Sequence, residues 1–282
     1  MIIAVASGKG GTGKTTVATN LAMSLTVKVQ LIDCDVEEPN SHIFLKPQIH
    51  ESVEVQVPKP LIDLEKCTFC GECARICRFS AIVVVNNNVL TFPELCHGCG
   101  GCTKVCPEDA ITEKSHPIGL LEHGKCQSLE FVHGRLSVGE AMSPPLIKAA
   151  RNLAGDHDVV IVDAPPGTSC PVIAAVKGSD FCLLVTEPTP FGLNDLQLAA
   201  EVVAELKIPA GVLINRSGSS DQETVDFCRS KKIPVLMTIP EDRRIAEAYS
   251  YGRMLIEVLP SYKEQFQELY RHIKKIVGGN GR

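Results

Sequence analysis

Short apolar runs that end in polar loops alternate with stretches of helical periodicity along most of this chain. The first run, MIIAVAS, leads into the glycine-rich SGKGGTGKTT and the helix-like VATNLAMSL, and VKVQLIDCD is a second apolar run. HDVVIVDAPPG, SDFCLLVTEP, AGVLINRS and PVLMTIPED repeat the arrangement. Strands that alternate with helices predict an α/β fold with a mostly parallel sheet covered on both faces. Ligands of such sheets bind at the carboxyl ends of the strands, so we expect the polar ends DCD, DAPPG, EPTP, NRS and PED to converge.

Residues 61–115 break this pattern and are predicted to be an inserted α+β domain that divides the first domain into residues 1–60 and 116–282. Within the insert, CTFCGECARICRFSAI and CHGCGGCTKVCPEDAI align at a constant offset of 29 residues, which indicates an internal duplication. AIVVVNNNVLTF between them alternates around an Asn-rich turn and predicts a hairpin. The pattern is weak over residues 116–150, where only PPLIKAARNLA predicts a helix.

Composition narrows the classes of function. The 282 residues are 44% hydrophobic and 22% charged, as in a globular protein, and the net charge of −5 gives no electrostatic support for a nucleic-acid partner. No apolar run is long enough to cross a membrane, and the start MIIAVASGKG lacks the features of a signal peptide, so we expect a cytoplasmic protein. The cysteines, thirteen in all, are concentrated in two short runs and read as metal ligands, not disulfides.

The first motif with a defined chemistry is GKGGTGKT at residues 8–15, which matches G-x-x-x-x-G-K-[ST] between a predicted strand and helix. Backbone N–H groups of such a loop surround the phosphates of ATP or ADP. Lys14 is expected to reach the β- and γ-phosphates and the Thr15 hydroxyl to bind Mg²⁺. The predicted nucleotide contacts of the loop are Gly8, Gly10, Gly11, Thr12, Gly13, Lys14, Thr15 and Thr16.

The second motif is C-x2-C-x2-C-x3-C, which occurs once in each half of the duplication. In two-cluster ferredoxins the fourth cysteine of each run binds the other cluster, so two [4Fe-4S] clusters are predicted. Zinc is the alternative, although its structural sites usually take paired ligands. One predicted ligand set is Cys67, Cys70, Cys73 and Cys106, and the other is Cys96, Cys99, Cys102 and Cys77.

Two aspartates end predicted strands beside the phosphate loop. Asp35 follows the second strand in LIDCD, and Asp163 ends the strand in VVIVD. A carboxylate at this position can hold the Mg²⁺ shell or orient an attacking water, although each aspartate taken alone could be a helix cap or turn residue. For Asp33 a metal-shell role and a structural role stay open.

With Lys9 in its loop, GKGGTGKTT resembles the deviant Walker A motif of the MinD and Mrp ATPases and the nitrogenase iron protein. The chain as a whole resembles MinD/Mrp-superfamily P-loop ATPases that contain an inserted 2[4Fe-4S] ferredoxin domain. The resemblance implies a homodimer with ATP between the subunits, in which Lys9 reaches the partner's nucleotide, Asp35 positions the water and Asp163 lies near Mg²⁺. It also implies that Asn215 recognises adenine and that the segment around Pro240 and Glu241 lies against the base, with Arg216 beside them.

Other features of the sequence depart from these families. The nitrogenase iron protein places a cluster cysteine near the position of Cys170, and Cys126 is a weak candidate for a second ligand, but an inert Cys170 is favoured. The paired cysteines with which Mrp proteins bridge a cluster near the C-terminus are absent from this sequence. Arg78 stands where the second run has Pro107. The C-terminal stretch PSYKEQFQELYRHIKKIVGG resembles the membrane-targeting helix of MinD, but a helix packed on the sheet is favoured.

Three hypotheses for function follow. The leading one is a dimeric ATPase whose nucleotide state gates electron transfer to a redox or metalloprotein partner. The alternative is a factor that uses ATP to assemble or deliver iron–sulfur or other metal centres. The third is a positioning or partitioning ATPase whose clusters sense redox state.

Overall fold

The structure, a computed structural model, describes residues 1–279. Most of these residues build a nine-stranded sheet covered by helices, and a short cysteine-rich segment carries a separate two-stranded sheet. The strands in chain order are β1 (Ile2–Ala6), β2 (Val29–Asp33), β3 (Gln48–Ile62), β4 (Ile82–Val85), β5 (Asn88–Thr91), β6 (Ile111–Cys126), β7 (Leu129–Leu136), β8 (Val159–Asp163), β9 (Phe181–Thr186), β10 (Ala210–Ser217) and β11 (Val235–Pro240). The helices are α1 (Lys14–Ser24), α2 (Ser41–Leu45), α3 (Glu72–Ile76), α4 (Gly101–Val105), α5 (Pro144–Arg151), α6 (Cys170–Val176), α7 (Pro190–Glu205), α8 (Gln222–Ser230), α9 (Arg243–Ser250), α10 (Leu255–Val258) and α11 (Ser261–Gly279).

The large sheet has the strand order β11-β10-β9-β1-β8-β2-β7-β6-β3. Pairing is parallel from β11 to β7 and antiparallel from β7 through β6 to β3. The predicted mostly parallel α/β sheet is therefore confirmed, with β1, β2 and β8 to β11 where the apolar runs indicated. The weak pattern over residues 116–150 did not predict β6 and β7, although the helix predicted there is present as α5.

Two apolar layers hold the sheet between its helices. On one face, Leu21 of α1 and Phe266 and Leu269 of α11 lie fully or almost fully buried against the sheet. On the other, Leu146 of α5 and Leu196 of α7 do the same. Because alternate residues of a strand point to opposite faces, the parallel strands bury both faces and read as nearly continuous apolar runs.

Strands β3 and β6 form a long antiparallel ribbon at the edge of the sheet, paired from Gln48–Lys125 to Ile62–Ile111. The prolines at which composition changes, Pro58 and Pro60, lie within β3. β3 is the edge strand, and an edge strand tolerates a proline whose missing N–H faces away from the ladder. The chain leaves the ribbon after Ile62 of β3, forms the cysteine-rich segment, and returns to the ribbon at Ile111 of β6.

The duplicated sequence runs give duplicated local structure. α3 and α4 begin 29 residues apart, at Glu72 and Gly101, and each follows a glycine with positive φ, Gly71 at 79° and Gly100 at 68°. The left-handed backbone that both turns require is open to glycine without a steric penalty. Between the repeats, β4 and β5 pair as an antiparallel hairpin, as the alternation predicted.

The C-terminal helix α11 packs against α1 along an apolar face that includes Tyr262, Phe266 and Ile273. That face is buried, so the stretch that resembles a membrane-targeting helix uses its apolar side chains within the protein. Among residues 1–279 no helix has both the length and the hydropathy needed to cross a membrane.

Candidate functional site

The phosphate loop lies between β1 and α1, where the sequence predicted it. Gly13 precedes α1 with φ of 92°, and a Cβ on it would lie 2.4 Å from Asn215 Nδ2. Glycine is therefore required there both for its backbone conformation and for space. Lys14, the first residue of α1, is 6% exposed, and the Thr12 Oγ1 atom is buried without a hydrogen-bond partner among the described residues. The loop thus presents a buried cation and a free hydroxyl at a helix N-terminus, a combination suited to phosphate.

Two buried aspartates face this loop from adjacent strands. Asp33 ends β2 and Asp163 ends β8, and the parallel register places them side by side. Ser41 connects them, because its N–H donates to Asp33 Oδ2 at 3.0 Å and its hydroxyl donates to Asp163 Oδ2 at 3.2 Å. The Asp163 Oδ1 atom is buried without a partner among the described residues. A carboxylate oxygen left free in this position is available to a ligand.

Burial dominates the titration of this pair. Desolvation and the neighbouring Asp163 charge raise the pKa of Asp33 to about 8, against two backbone hydrogen bonds that lower it. Desolvation also raises the pKa of Asp163, while the charge of Lys14 and the nearby hydroxyls of Thr15 and Ser41 oppose the shift. Two carboxylates that share a buried site resist ionising together. A bound divalent cation would reverse that preference, because it favours the charged forms.

Asp35 lies two residues beyond β2, and its N–H donates to Asp33 Oδ1 at 3.0 Å. Burial raises the pKa of its carboxyl to about 6, and the charge of Lys14 is the main opposing cause. At neutral pH this carboxylate is ionised yet close to its pKa, the range in which a group accepts a hydrogen bond or proton from water efficiently. The structure thus brings Lys14, Asp35 and Asp163 together at one end of the sheet.

Lys9 makes a contact that the sequence did not predict. Its Nζ lies 3.6 Å from Glu187 Oε2, and Arg216 Nη1 lies 2.8 Å from Glu187 Oε1. Glu187 follows β9 and is only 7% exposed, so one buried carboxylate holds two cations, one of them from the phosphate loop. EPTP was among the polar strand ends expected to converge, but nothing in the sequence singled out its glutamate.

The residues expected to contact adenine lie at the ends of β10 and β11. Asn215 pairs with Ile239 and Ser217 with Pro240, and the Glu241 N–H donates to Ser217 O at 3.1 Å. The Asn215 side chain is occupied, since its Nδ2 donates to Thr12 O at 2.8 Å. In this structure Asn215 therefore supports the phosphate loop, and an adenine contact for it stays a prediction.

The cysteine-rich segment contains two cavities, and their lining follows the duplicated motif. Cys67, Cys70 and Cys73 from the first run line one cavity with Cys106 from the second. The other cavity is lined by three cysteines of the second run with the fourth of the first, namely Cys96, Cys99, Cys102 and Cys77. Each predicted ligand set thus surrounds one cavity.

The surroundings of the cysteines repeat as well. Ala81 N–H donates to Cys77 Sγ at 3.3 Å, and Ala110 N–H donates to Cys106 Sγ at 3.3 Å. Burial raises the pKa of the Cys73 thiol and of its repeat counterpart Cys102. Such N–H donors stabilise thiolates, and a metal has to displace the protons of the buried thiols.

A single metal ion does not match this arrangement. Among the described residues no three His, Cys, Asp or Glu side chains converge as one ion requires. Both cavities are open to solvent on one side, and the four cysteines of each set are spread around the cavity wall. Four thiol ligands spaced in this way, in the C-x2-C-x2-C-x3-C pattern, fit a [4Fe-4S] group better than one tetrahedral ion.

The other cysteines separate into two kinds. Cys34, Cys182 and Cys228 are buried, as their apolar context predicted. Cys170 is exposed at the start of α6, which follows the carboxyl end of β8. Cys126 ends β6 and pairs with Leu129, the first residue of β7. It therefore lies at the amino-terminal ends of the parallel strands, whereas Cys170 follows a carboxyl end. Within one chain the two are not positioned to share a ligand.

Known proteins resemble this chain over almost its whole length. An uncharacterized protein of Methanocaldococcus jannaschii is 33% identical over 282 residues, which cover 98% of this chain and 96% of that protein. An iron-sulfur cluster carrier protein of Aquifex aeolicus is 26% identical, covering 90% of this chain and 61% of that protein. A cytosolic Fe-S cluster assembly factor, cfd1, of Emericella nidulans is 28% identical, covering 84% and 65%.

Among solved structures, the septum site-determining protein MinD of Pyrococcus horikoshii, complexed with Mg-ADP, superimposes with a TM-score of 0.61. The two are 21% identical, and the match covers 100% of this chain and 98% of that one, which establishes a shared fold. The family model described as the CobQ/CobB/MinD/ParA nucleotide binding domain matches residues 3–256. The resemblance to MinD seen in the phosphate loop is therefore confirmed, and the chain belongs to the CobQ/CobB/MinD/ParA nucleotide-binding family.

Proposed function

We propose that this protein is an ATP-dependent switch that serves the assembly or delivery of iron–sulfur or other metal centres and carries two [4Fe-4S] clusters of its own. The observation that carries the proposal is the presence, in one chain, of a phosphate loop with buried carboxylates and of two cavities lined by four cysteines each. The names of two relatives, a cluster carrier and a cluster assembly factor, support this direction.

Residues 61–115 act in this proposal as an inserted ferredoxin domain, with the ATPase domain formed by residues 1–60 and 116–282. One cluster would be held by Cys67, Cys70, Cys73 and Cys106, and the other by Cys96, Cys99, Cys102 and Cys77. Three cysteines from one run with one from the other is the arrangement of two-cluster ferredoxins. When bound, such a cluster accepts or donates single electrons. The N–H groups of Ala81 and Ala110 would support the thiolate charge of Cys77 and Cys106.

The nucleotide site would work through residues that are already in place. Residues 8–16 surround the phosphates, and Lys14 neutralises charge that develops during phosphoryl transfer. Thr15 and the free oxygen of Asp163 offer oxygen ligands to Mg²⁺, the kind it prefers. Asp35, ionised at neutral pH, orients the attacking water.

A homodimer completes the proposed switch. Lys9 is paired with Glu187 of its own chain at 3.6 Å, and one third of its side chain is exposed. To reach the nucleotide of a partner subunit, Lys9 has to leave that carboxylate. Open and closed states would then differ in this contact, as a nucleotide switch requires.

ATP-gated electron transfer is a second candidate, and the geometry of the cysteines favours it. All eight motif cysteines line the two cavities, so each resident cluster would be fully ligated by protein and suited to stay in place. Cys70 and Cys99 are exposed, which places the rim of each cavity within reach of a docking partner. A fully ligated cluster is better suited to pass on electrons than to be delivered.

Transfer of labelled iron separates the two candidates. The protein is purified anaerobically with ⁵⁵Fe and incubated with an apo-ferredoxin acceptor, with and without Mg-ATP. Assembly or delivery predicts iron in the acceptor that requires ATP and is lost in Lys14→Met. An EPR-monitored redox titration of the same samples tests gating.

Each outcome assigns a role. Labelled iron that stays on the protein, together with cluster potentials that shift with nucleotide, would replace the delivery proposal by electron transfer. Iron that stays in place with potentials unchanged by nucleotide would contradict both. Lys263→Ala on the exposed side of α11 is the matched control, because it removes an exposed lysine that is not among the predicted nucleotide contacts.

A further inference from the structure

One short segment, residues 136–140, connects the nucleotide end of the sheet with the base of the ribbon, the end of β3 and β6 that leads into the cysteine-rich segment. At its start, Leu136 N–H donates to Val36 O at 2.8 Å, and Val36 directly follows Asp35. The next residue, Ser137, donates its N–H to Ile118 O of β6 at 2.9 Å. Adjacent residues of this segment therefore form hydrogen bonds with the ribbon and with the Asp35 loop, residues 34–40 between β2 and α2.

The segment ends at Glu140, whose side chain is 7% exposed. Its Oε2 atom lies 3.2 Å from Lys59 Nζ and 3.2 Å from His116 Nε2. Lys59 belongs to β3 and His116 to β6, so one carboxylate contacts both strands of the ribbon. Lys59 is itself only 8% exposed, and a buried lysine depends on a partner for its charge.

The ribbon carries this contact on to the second cysteine cavity. Pro58 and Pro60 of β3 and Glu113 of β6 line the cavity together with Cys96 and its companions. The approach is close, because a Cβ on Gly98 would lie 2.9 Å from Pro58 O. The residues on either side of Lys59, Pro58 and Pro60, are thus themselves part of the cavity wall.

A second contact, at Gly134, joins β7 to the Asp35 loop at the nucleotide end of the sheet. A Cβ on this residue of β7 would lie 2.6 Å from Val36 Cγ1, so β7 and the Asp35 loop are in close contact just before the segment begins. Packed contacts of this kind leave little room for the loop to move without displacing its neighbour.

We infer that Glu140 is a positioning residue that couples the nucleotide-dependent position of the Asp35 loop to the ribbon and so to the Cys96 cavity. The inference rests on the proposed nucleotide site and adds the route by which it reaches the cysteine-rich segment. Movement at Asp35 and Val36 passes to Leu136 through a backbone hydrogen bond, and Glu140 passes it to both ribbon strands at once. Without the Glu140 carboxylate, the two regions keep their own structure but respond separately.

Hydrogen–deuterium exchange of the full cluster-loaded protein measures this coupling without relying on activity. The base of the ribbon that Glu140 contacts, residues 57–62 and 111–117, is compared with the phosphate loop, with and without a non-hydrolysable Mg-ATP analogue. In the wild type we expect nucleotide to change exchange in both regions, by about fivefold or more at the ribbon base. In Glu140→Gln we expect the phosphate-loop response to persist and the ribbon response to vanish.

Two further variants make the result specific. Lys59→Gln combined with Glu140→Gln removes both buried charges, so it avoids the unpaired lysine of the single variant and should lose the ribbon response in the same way. Glu122→Gln is the matched control, since it removes the charge from another carboxylate–histidine contact of β6, the 2.8 Å pair with His133, away from the ribbon base. This control should respond like the wild type.

The outcomes distinguish this inference from the function on which it rests. A wild type whose phosphate loop shows no protection by nucleotide contradicts the proposed ATP switch itself. Protection of the loop with a silent ribbon base overturns the coupling alone. A ribbon response that survives in both Glu140 variants overturns the role of Glu140.

Discussion

Asp163 and Cys73 are both buried reactive residues, but they are held by very different amounts of apolar core. Asp163 ends a strand in the middle of the main sheet, between two extensive layers of buried side chains. Cys73 belongs to a small apolar cluster whose other buried members are Ile82 and Ile111. The first region has enough core to fix its side chains without a ligand, whereas the second has little beyond its own cysteines.

This difference separates a preformed site from one that depends on its ligand. A small unit with few buried apolar residues usually needs disulfides or metal to be rigid, and metal binding there contributes directly to folding. The exposed apolar residues around the cysteine-rich segment, which include Leu64, Phe79 and Leu95, fit a unit with more surface than core. We therefore expect that a substitution which disables one region leaves the structure of the other region intact.

The largest expected effect is on hydrolysis. Lys14→Met keeps the buried aliphatic chain but removes the cation of the phosphate loop, so phosphate release should fall by about 100-fold or more. Iron and sulfide content should not change, because the cysteine cavities contain no residue of the loop. Phosphate release and metal analysis of the same preparation test both parts. Loss of iron in a variant that stays folded would show that the two regions are not independent.

Cysteine substitution tests the other side of the comparison with a smaller effect. Cys73→Ser should remove about half of the iron, since one of two clusters loses a ligand. The exposed Cys170 lies outside both cavities and is the matched control, so Cys170→Ser should keep full iron content. Phosphate release by Cys73→Ser should stay near the wild-type rate. Iron lost from Cys170→Ser would instead indicate a further cluster at the start of α6.

The same comparison explains which features the sequence predicted. The strand, phosphate loop and helix around Lys14 are contiguous, and the motif depends on local backbone geometry. The cysteine sets follow from a duplication that the 29-residue offset makes visible. Both signals are contained in short stretches of chain, so they could be interpreted without knowing the tertiary structure.

The features that were missed depend on distant partners. The first part of β3, from Gln48 to Glu54, is exposed and has no buried face. Val53, Val55 and Val57 do alternate with polar residues, a signal that could have indicated a strand but lies directly before the prolines at 58 and 60. β7 lies in a stretch with several glycines, which weaken its apolar pattern. One of them, Gly134, is required by a distant contact, because Val36 leaves no room for a larger side chain. Glu187 and Glu140 acquire their roles only from cations far away in sequence. Propensity and periodicity carry no information about such pairs.

The smallest expected effect is on the stability of the preformed site, and its sign follows from the raised pKa values. Asp33 and Asp35 titrate at about 8 and about 6 in the folded protein, from a usual value of 3.8, and burial also raises the pKa of Asp163. Between pH 4 and 8 the folded state therefore binds more protons than the unfolded state, so stability must fall as the pH rises. The Tm of the nucleotide-free protein should drop by about 10 °C between pH 5.5 and 8, because proton release from Asp33 and Asp35 over that range costs about 3–4 kcal/mol, at about 2–4 °C per kcal/mol.

Asp163→Asn removes one cause of this slope, the charge beside Asp33, and leaves the larger cause, burial, in place. The variant keeps the shape of the side chain but removes the charge that raises the pKa of Asp33, so its Tm should vary less with pH than that of the wild type. Asp226→Asn on the exposed side of α8 is the control and should keep the wild-type slope. Mg-ATP should flatten the wild-type curve as well, because a cation at Asp163 favours the ionised carboxylates that burial opposes. A Tm that rises between pH 5.5 and 8 would mean that the buried aspartates are ionised in the free protein, and the preformed site would then need a resident counter-charge.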